Sequence, residues 1–123
     1  MITGIEHTAL VSTDPKPLAA WYRDTLGFVY CYESDSTVMV KAQNGYILEI
    51  TSGEGSAAPH TLKTPGIRHI AISVGDFDAA YAQLKAKGVS FVAEPLEVKG
   101  NRVVFFTDPE GNFLHLLYRP TPL

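Results

Sequence analysis

Gly66-Ile67-Arg68-His69-Ile70-Ala71-Ile72-Ser73 is the stretch on which the rest of the chain turns. It is apolar and β-branched around a single histidine. Near the N-terminus, Gly4-Ile5-Glu6-His7-Thr8-Ala9-Leu10-Val11 opens the same way. Two strands that each begin Gly-Ile-x-His, 62 residues apart, indicate a duplicated unit. Working outward, Asp14 stands 62 residues before Asp76, and each precedes a helically spaced segment closed by a glycine, Gly27 or Gly88. Gly45-Tyr46-Ile47-Leu48-Glu49-Ile50 then aligns with Gly111-Asn112-Phe113-Leu114-His115-Leu116. In this alignment Glu49 matches His115, as His7 matches His69. Four residues able to bind a metal thus fall at two pairs of equivalent positions.

The remaining segments fit the repeat. Residues 3–11 form a strand, and Thr13 or Asp14 caps a helix that carries Pro15 in its first turn. Leu18, Trp21, Tyr22 and Leu26 recur at helical spacing before Gly27. Residues 28–33 and 37–42 pair as strands, and Asn44-Gly45 turns the chain into a strand over 46–51. Residues 52–65, rich in Gly, Ser, Ala and Pro, form a linker in which His60 is a loop residue. The second half repeats the order: strand 66–74, a helix from Asp76, strand 89–93, an irregular 94–100, strand 102–106 and strand 113–118. One domain follows, with module one at 1–51, the linker at 52–65 and module two at 66–123.

The expected class is α+β. Neither half alone covers both faces of its sheet, so two paired βαβββ modules should form a curved, half-barrel mixed sheet around a central cavity. Side chains alternate along a strand. Leu10, Leu48, Ile50, Ile70, Ile72, Leu114 and Leu116 then face the helices, while His7, Glu49, His69 and His115 face away from them, into the cavity.

Composition narrows the functions. A hydrophobic share of 46% with 19% charged residues is that of a globular domain. A net charge of −3 without a basic cluster argues against nucleic acid. No basic-then-apolar leader and no run of membrane-spanning length is read, and the single Cys31 cannot close an internal disulfide. A cytoplasmic protein is expected, with no nucleic-acid or membrane partner.

At these residues the chain resembles the vicinal oxygen chelate superfamily, which holds glyoxalase I, extradiol dioxygenases, fosfomycin-resistance enzymes and bleomycin-resistance proteins. Gly-Ile-x-His at both strand starts, Trp21-Tyr22-Arg23-Asp24-Thr25-Leu26-Gly27-Phe28 and Asp108-Pro109-Glu110-Gly111-Asn112 carry the resemblance, which spans essentially the whole chain. It implies one divalent ion (Zn, Fe, Ni or Co) held by His7, Glu49, His69 and His115. His115 stands where catalytic members usually have glutamate, which leaves open a two-His-one-carboxylate set of His7, His69 and Glu49 with His115 as a fourth ligand or a nearby base, and makes Glu49 and His115 the candidates for moving a proton. The middle strands are expected to line the pocket with Tyr30, Tyr32, Met39, Lys41, Phe91, Arg102, Val104 and Phe106. Tyr32, Phe91 and Arg102 are the substrate contacts expected, Arg102 for an anionic group.

The resemblance implies a metal-dependent lyase, isomerase or dioxygenase that chelates vicinal oxygens of a small substrate, and a homodimer. The alternative is a non-catalytic binding protein of the bleomycin-resistance kind, which usually lacks the metal set.

Overall fold

A computed structural model describes residues 1–123, which divide into two compact units, Met1–Ala57 and Ala58–Leu123. The first contains β1 (His7–Ser12), α1 (Pro15–Leu26), β2 (Val29–Glu33), β3 (Thr37–Lys41) and β4 (Ile47–Ser52). The second contains β5 (Ile70–Ser73), α2 (Phe77–Ala86), β6 (Ser90–Phe91), β7 (Leu96–Val98), β8 (Asn101–Thr107) and β9 (Phe113–Tyr118). The α+β class and the repeated βαβββ order are as expected. The second unit departs by one element: 94–100 is not wholly irregular, because β7 pairs with β8. The chain reverses between them at Lys99 and Gly100, both with positive φ.

Each unit builds one mixed sheet. The order is β1-β4-β3-β2 in the first and β5-β9-β8-β6 in the second, with β7 also on β8. In each, the first strand runs parallel to the last, and the register repeats. Thr8 lies opposite Leu48 and Ala9 opposite Glu49, as Ile70 lies opposite Leu114 and Ala71 opposite His115. The equivalence read from Gly-Ile-x-His is therefore also an equivalence of hydrogen-bonded ladders.

Local chemistry fixes the ends of the elements. Gly27, at φ 77°, stops α1 in the left-handed conformation, its N–H donating to the Arg23 carbonyl at 3.0 Å. Asp76 caps α2 by accepting the Ala79 N–H at 3.0 Å. Between β8 and β9, the buried Asp108 carboxylate accepts the Glu110 and Asn112 N–H groups and the Asn112 side-chain amide, at 2.8–3.0 Å. That turn sets the register of the hairpin, pairing Phe105 with His115 and Phe106 with Leu114.

One face of each sheet is closed by its helix. In the first unit Leu18, Ala19 and Tyr22 bury against the face of Val38, Val40, Leu48 and Ile50. In the second, Phe77 and Leu84 are buried together with Val104, Phe106, Leu114 and Leu116. Burying such side chains stabilises by about 1.5–3 kcal/mol each, so this face anchors the sheet. The face opposite the helix is left for other work.

Candidate functional site

The four candidate ligands sit on those opposite faces, two in each unit. His7 opens β1 and Glu49 is central in β4. Because Ala9 is the residue facing Glu49 across the ladder, the small side chain leaves room for Glu49 to lean diagonally toward His7. His7 Nε2 and Glu49 Oε2 are 3.5 Å apart. Glu6 bonds the other ring nitrogen, Nδ1. The pKa of His7 is raised, first by the Glu6 hydrogen bond and then, against partial burial, by the charges of Glu6 and Glu49.

In the second unit His69 immediately precedes β5 and His115 is central in β9, with Ala71 across from it. The same diagonal brings the two imidazoles together, with ring centroids 4.1 Å apart. Phe105, paired with His115 in the ladder, packs on both rings at 5.4 and 4.9 Å. The surroundings differ sharply from those of His7. His115 is only 8% exposed, and neither of its ring nitrogens has a partner; the Nδ1 of His69 is likewise buried and unpartnered. Burial, then the positive charges of His69, Arg68 and Arg119, pushes the His115 pKa down to about 4. His69 is lowered as well, by burial and then by Arg68. Both imidazoles are neutral at pH 7, with lone pairs free to donate.

This donor chemistry fits a divalent ion. Imidazole nitrogen suits a divalent transition ion, and a buried, unbonded imidazole nitrogen costs about 1–3 kcal/mol unless something takes its lone pair. Within each unit the candidates form a pair, and no group of three or more His, Cys, Asp or Glu side chains is gathered.

The other expected site residues divide. Tyr32 lies on the same face as Glu49, in the row Ala9, Glu49, Met39, Tyr32, and is exposed. A bulge at Cys31 separates Tyr32 from Tyr30, which turns toward the helix side under the Arg23 guanidinium, 5.1 Å from its ring. Arg102 and Phe91 are not brought to the His115 face. Arg102 shares the helix-facing side with Val104 and Phe106; its Nη2 donates to Asp78 at 2.9 Å and its guanidinium stacks on Phe77 at 4.4 Å. Phe91 packs between Tyr81 and Phe106. The hairpin register decides this, since it pairs odd residues of β8 with odd residues of β9.

Sequence reading missed Phe105, Arg68 and Glu6. Phe105 was legible in principle: counting back from the Asp108 turn places it across from His115. His60 is exposed and packs on Phe113 at 5.6 Å, in the loop before β5.

Comparison with known proteins fixes the family. The model of the Glyoxalase/Bleomycin resistance protein/Dioxygenase superfamily matches residues 4–116, and the chain belongs to that superfamily. The uncharacterized protein YaeR of Escherichia coli is 36% identical over 122 residues, covering 91% of this chain and 93% of that one. The uncharacterized protein YwkD of Bacillus subtilis is 31% identical over 120 residues, covering 89% and 92%. Among solved structures, the oxidase ChaP-H2 superposes with a TM-score of 0.76 at 26% identity, over 98% of this chain and 96% of that one. No helix of the chain is long and apolar enough to cross a membrane.

Proposed function

We propose that this chain is a metal-dependent enzyme of the glyoxalase/dioxygenase type, a lyase, isomerase or dioxygenase that chelates vicinal oxygens of a small substrate. His7, Glu49, His69 and His115 are its ligands to one divalent ion, drawn from Zn, Fe, Ni and Co. The observation that carries this reading is the His69–His115 pair, with three buried ring nitrogens lacking any partner in the protein. A core histidine kept only for packing would bond its ring nitrogens to neighbouring carbonyls or hydroxyls.

A divalent ion bound there supplies Lewis acidity toward two neighbouring oxygens of the substrate. The chain's own residues do the rest. Glu6, on Nδ1 of His7, leaves Nε2 as the nitrogen turned toward Glu49. Glu49, partly exposed, has carboxylate oxygen to spare and takes a proton from the substrate. His115, when dissociated from the ion, is the other proton carrier, and Phe105 packs against both its ring and that of His69. Tyr32, on the Glu49 face, contacts the substrate.

The name of ChaP-H2, an oxidase, supports an enzyme over a non-catalytic binder. The same reading makes the protein a cytoplasmic homodimer, since open sheet edges favour a second copy as cover.

Elemental analysis after reconstitution tests the ligand set. About one ion per chain is expected for wild type, with a clear loss in His69→Ala and in His115→Ala. Equal metal content in all three proteins removes the site.

A further inference from the structure

We propose that Arg68 forms a carboxylate-binding subsite beside the His69–His115 pair and so selects an anionic substrate. This rests on the reading of that pair as part of the reacting centre.

Arg68 is exposed, but its side chain is held in place. Thr61 and Thr64 close a tight turn: the Thr64 N–H donates to the Thr61 carbonyl at 3.1 Å, and the Thr61 N–H to Thr64 Oγ1 at 2.8 Å. The turn fixes the carbonyl of Leu62, which accepts the Arg68 Nε–H at 2.9 Å. The guanidinium lies over the ring of Phe105, 5.1 Å from its centroid, and the same ring packs on both imidazoles. Backbone turn, arginine, phenylalanine and the two histidines therefore form one connected stack.

The charge of that stack is unanswered. Arg23 is paired with Asp24 and Arg102 with Asp78, each through a carboxylate within 3 Å. Arg68 has no acidic partner. Its Nε is committed to Leu62, which leaves the Nη1–Nη2 edge, the edge that takes both oxygens of a carboxylate at once. Beside it, His115 is more than nine-tenths buried, with both nitrogens unpartnered. Buried, unpartnered imidazole nitrogens next to a guanidinium without an acidic partner suit a substrate whose chelating oxygens neighbour a carboxylate, as in a 2-oxo or 2-hydroxy acid. This also gives the anion-binding role expected of Arg102 to a different arginine, because Arg102 is tied to Asp78 on the opposite face.

The test uses the full chain, both chelator-treated and zinc-loaded. It is titrated with pyruvate and with hydroxyacetone, an uncharged molecule of similar size, while the imidazole NMR signals of His69 and His115 are followed. Wild type is expected to bind pyruvate roughly tenfold more tightly than hydroxyacetone, the scale of one charge-assisted hydrogen-bonded pair. Arg68→Gln should lose that preference with its zinc content unchanged, and Arg68→Lys should keep part of it. An undiminished preference in Arg68→Gln overturns the subsite, as does a wild type indifferent to charge. Zinc content is read separately. A wild type that takes up no zinc removes the metal reading, and the pyruvate contrast in the chelator-treated protein still decides the role of Arg68.

Discussion

The pairs His7–Glu49 and His69–His115 occupy the same slots of the same ladder, each beside an alanine in register, and they live in opposite electrostatic worlds. His7 is exposed between two carboxylates that favour its proton, whereas His115 is enclosed by the Phe105 ring, a second imidazole and arginine charges that oppose one. Backbone geometry was duplicated and proton affinity was not. The lesson is that register places a side chain, while the residues one layer out, Glu6 on one side and Phe105 with Arg68 on the other, decide its charge.

The comparison can first be pressed on the face where the units should agree. Ile50 and Leu116 are equivalent and fully buried against the helices. Ile50→Ala and Leu116→Ala should each cost about 2–5 kcal/mol in denaturant unfolding. A large cost in one unit and a negligible one in the other would break the symmetry of the two cores.

Titration probes the face where they should differ. His115 has a folded-state pKa near 4 against an ordinary 6.5, so folding favours its neutral form. Its contribution is complete above about pH 6.5 and is lost as pH falls toward 4, at most about 3 kcal/mol. In chelator-treated protein, His115→Gln should flatten the acid limb of the stability curve. His7 works the other way: its raised pKa gives stability that is present below pH 6.5 and lost as pH rises through the folded value. His7→Gln should therefore remove a smaller contribution, on the acid side, with opposite slope. Slopes of the same sign for the two variants would contradict the contrast.

The smallest effect lies at the helix starts. Asp76 accepts the Ala79 N–H, while Asp14 makes no side-chain cap bond. Asp76→Ala should cost about 1 kcal/mol and Asp14→Ala a few tenths, measured by thermal unfolding. Equal costs would mean that Asp14 caps α1 in solution.

Much of this was legible in the residues. Gly-Ile-x-His named the repeat, alternation assigned Leu48, Ile50, Leu114 and Leu116 to the helix side, and Gly27 and Asp76 marked helix ends. What escaped depends on chain geometry that composition does not carry. A bulge at Cys31 shifts the parity of β2, so Tyr30 and Tyr32 part company. The side-chain bonds of Asp108 fix the β8–β9 register, which turns Arg102, Val104 and Phe106 toward α2 and Phe105 toward His115. The strand β7 within 94–100 was hidden because its pairing depends on a non-glycine, Lys99, taking a positive φ. The pairs His7–Glu49 and His69–His115 were predictable from alignment alone, whereas their unequal burial was not, since it comes from neighbours outside the repeat.

Parallel pairing of the first and last strands of a unit also has a cost in chain order. The segment between Ser12 and Ile47 is roughly sevenfold longer than the one between Lys41 and Ile47, and closing it costs about 2 kcal/mol more in loop entropy. The β3–β4 hairpin can close from its own turn, but β1 must find β4 across an intervening helix and two strands. His7 and Glu49 thus become neighbours through the ladder with the most expensive closure in their unit. The donor pair is a property of the whole folded unit, and no fragment short of it can present both groups.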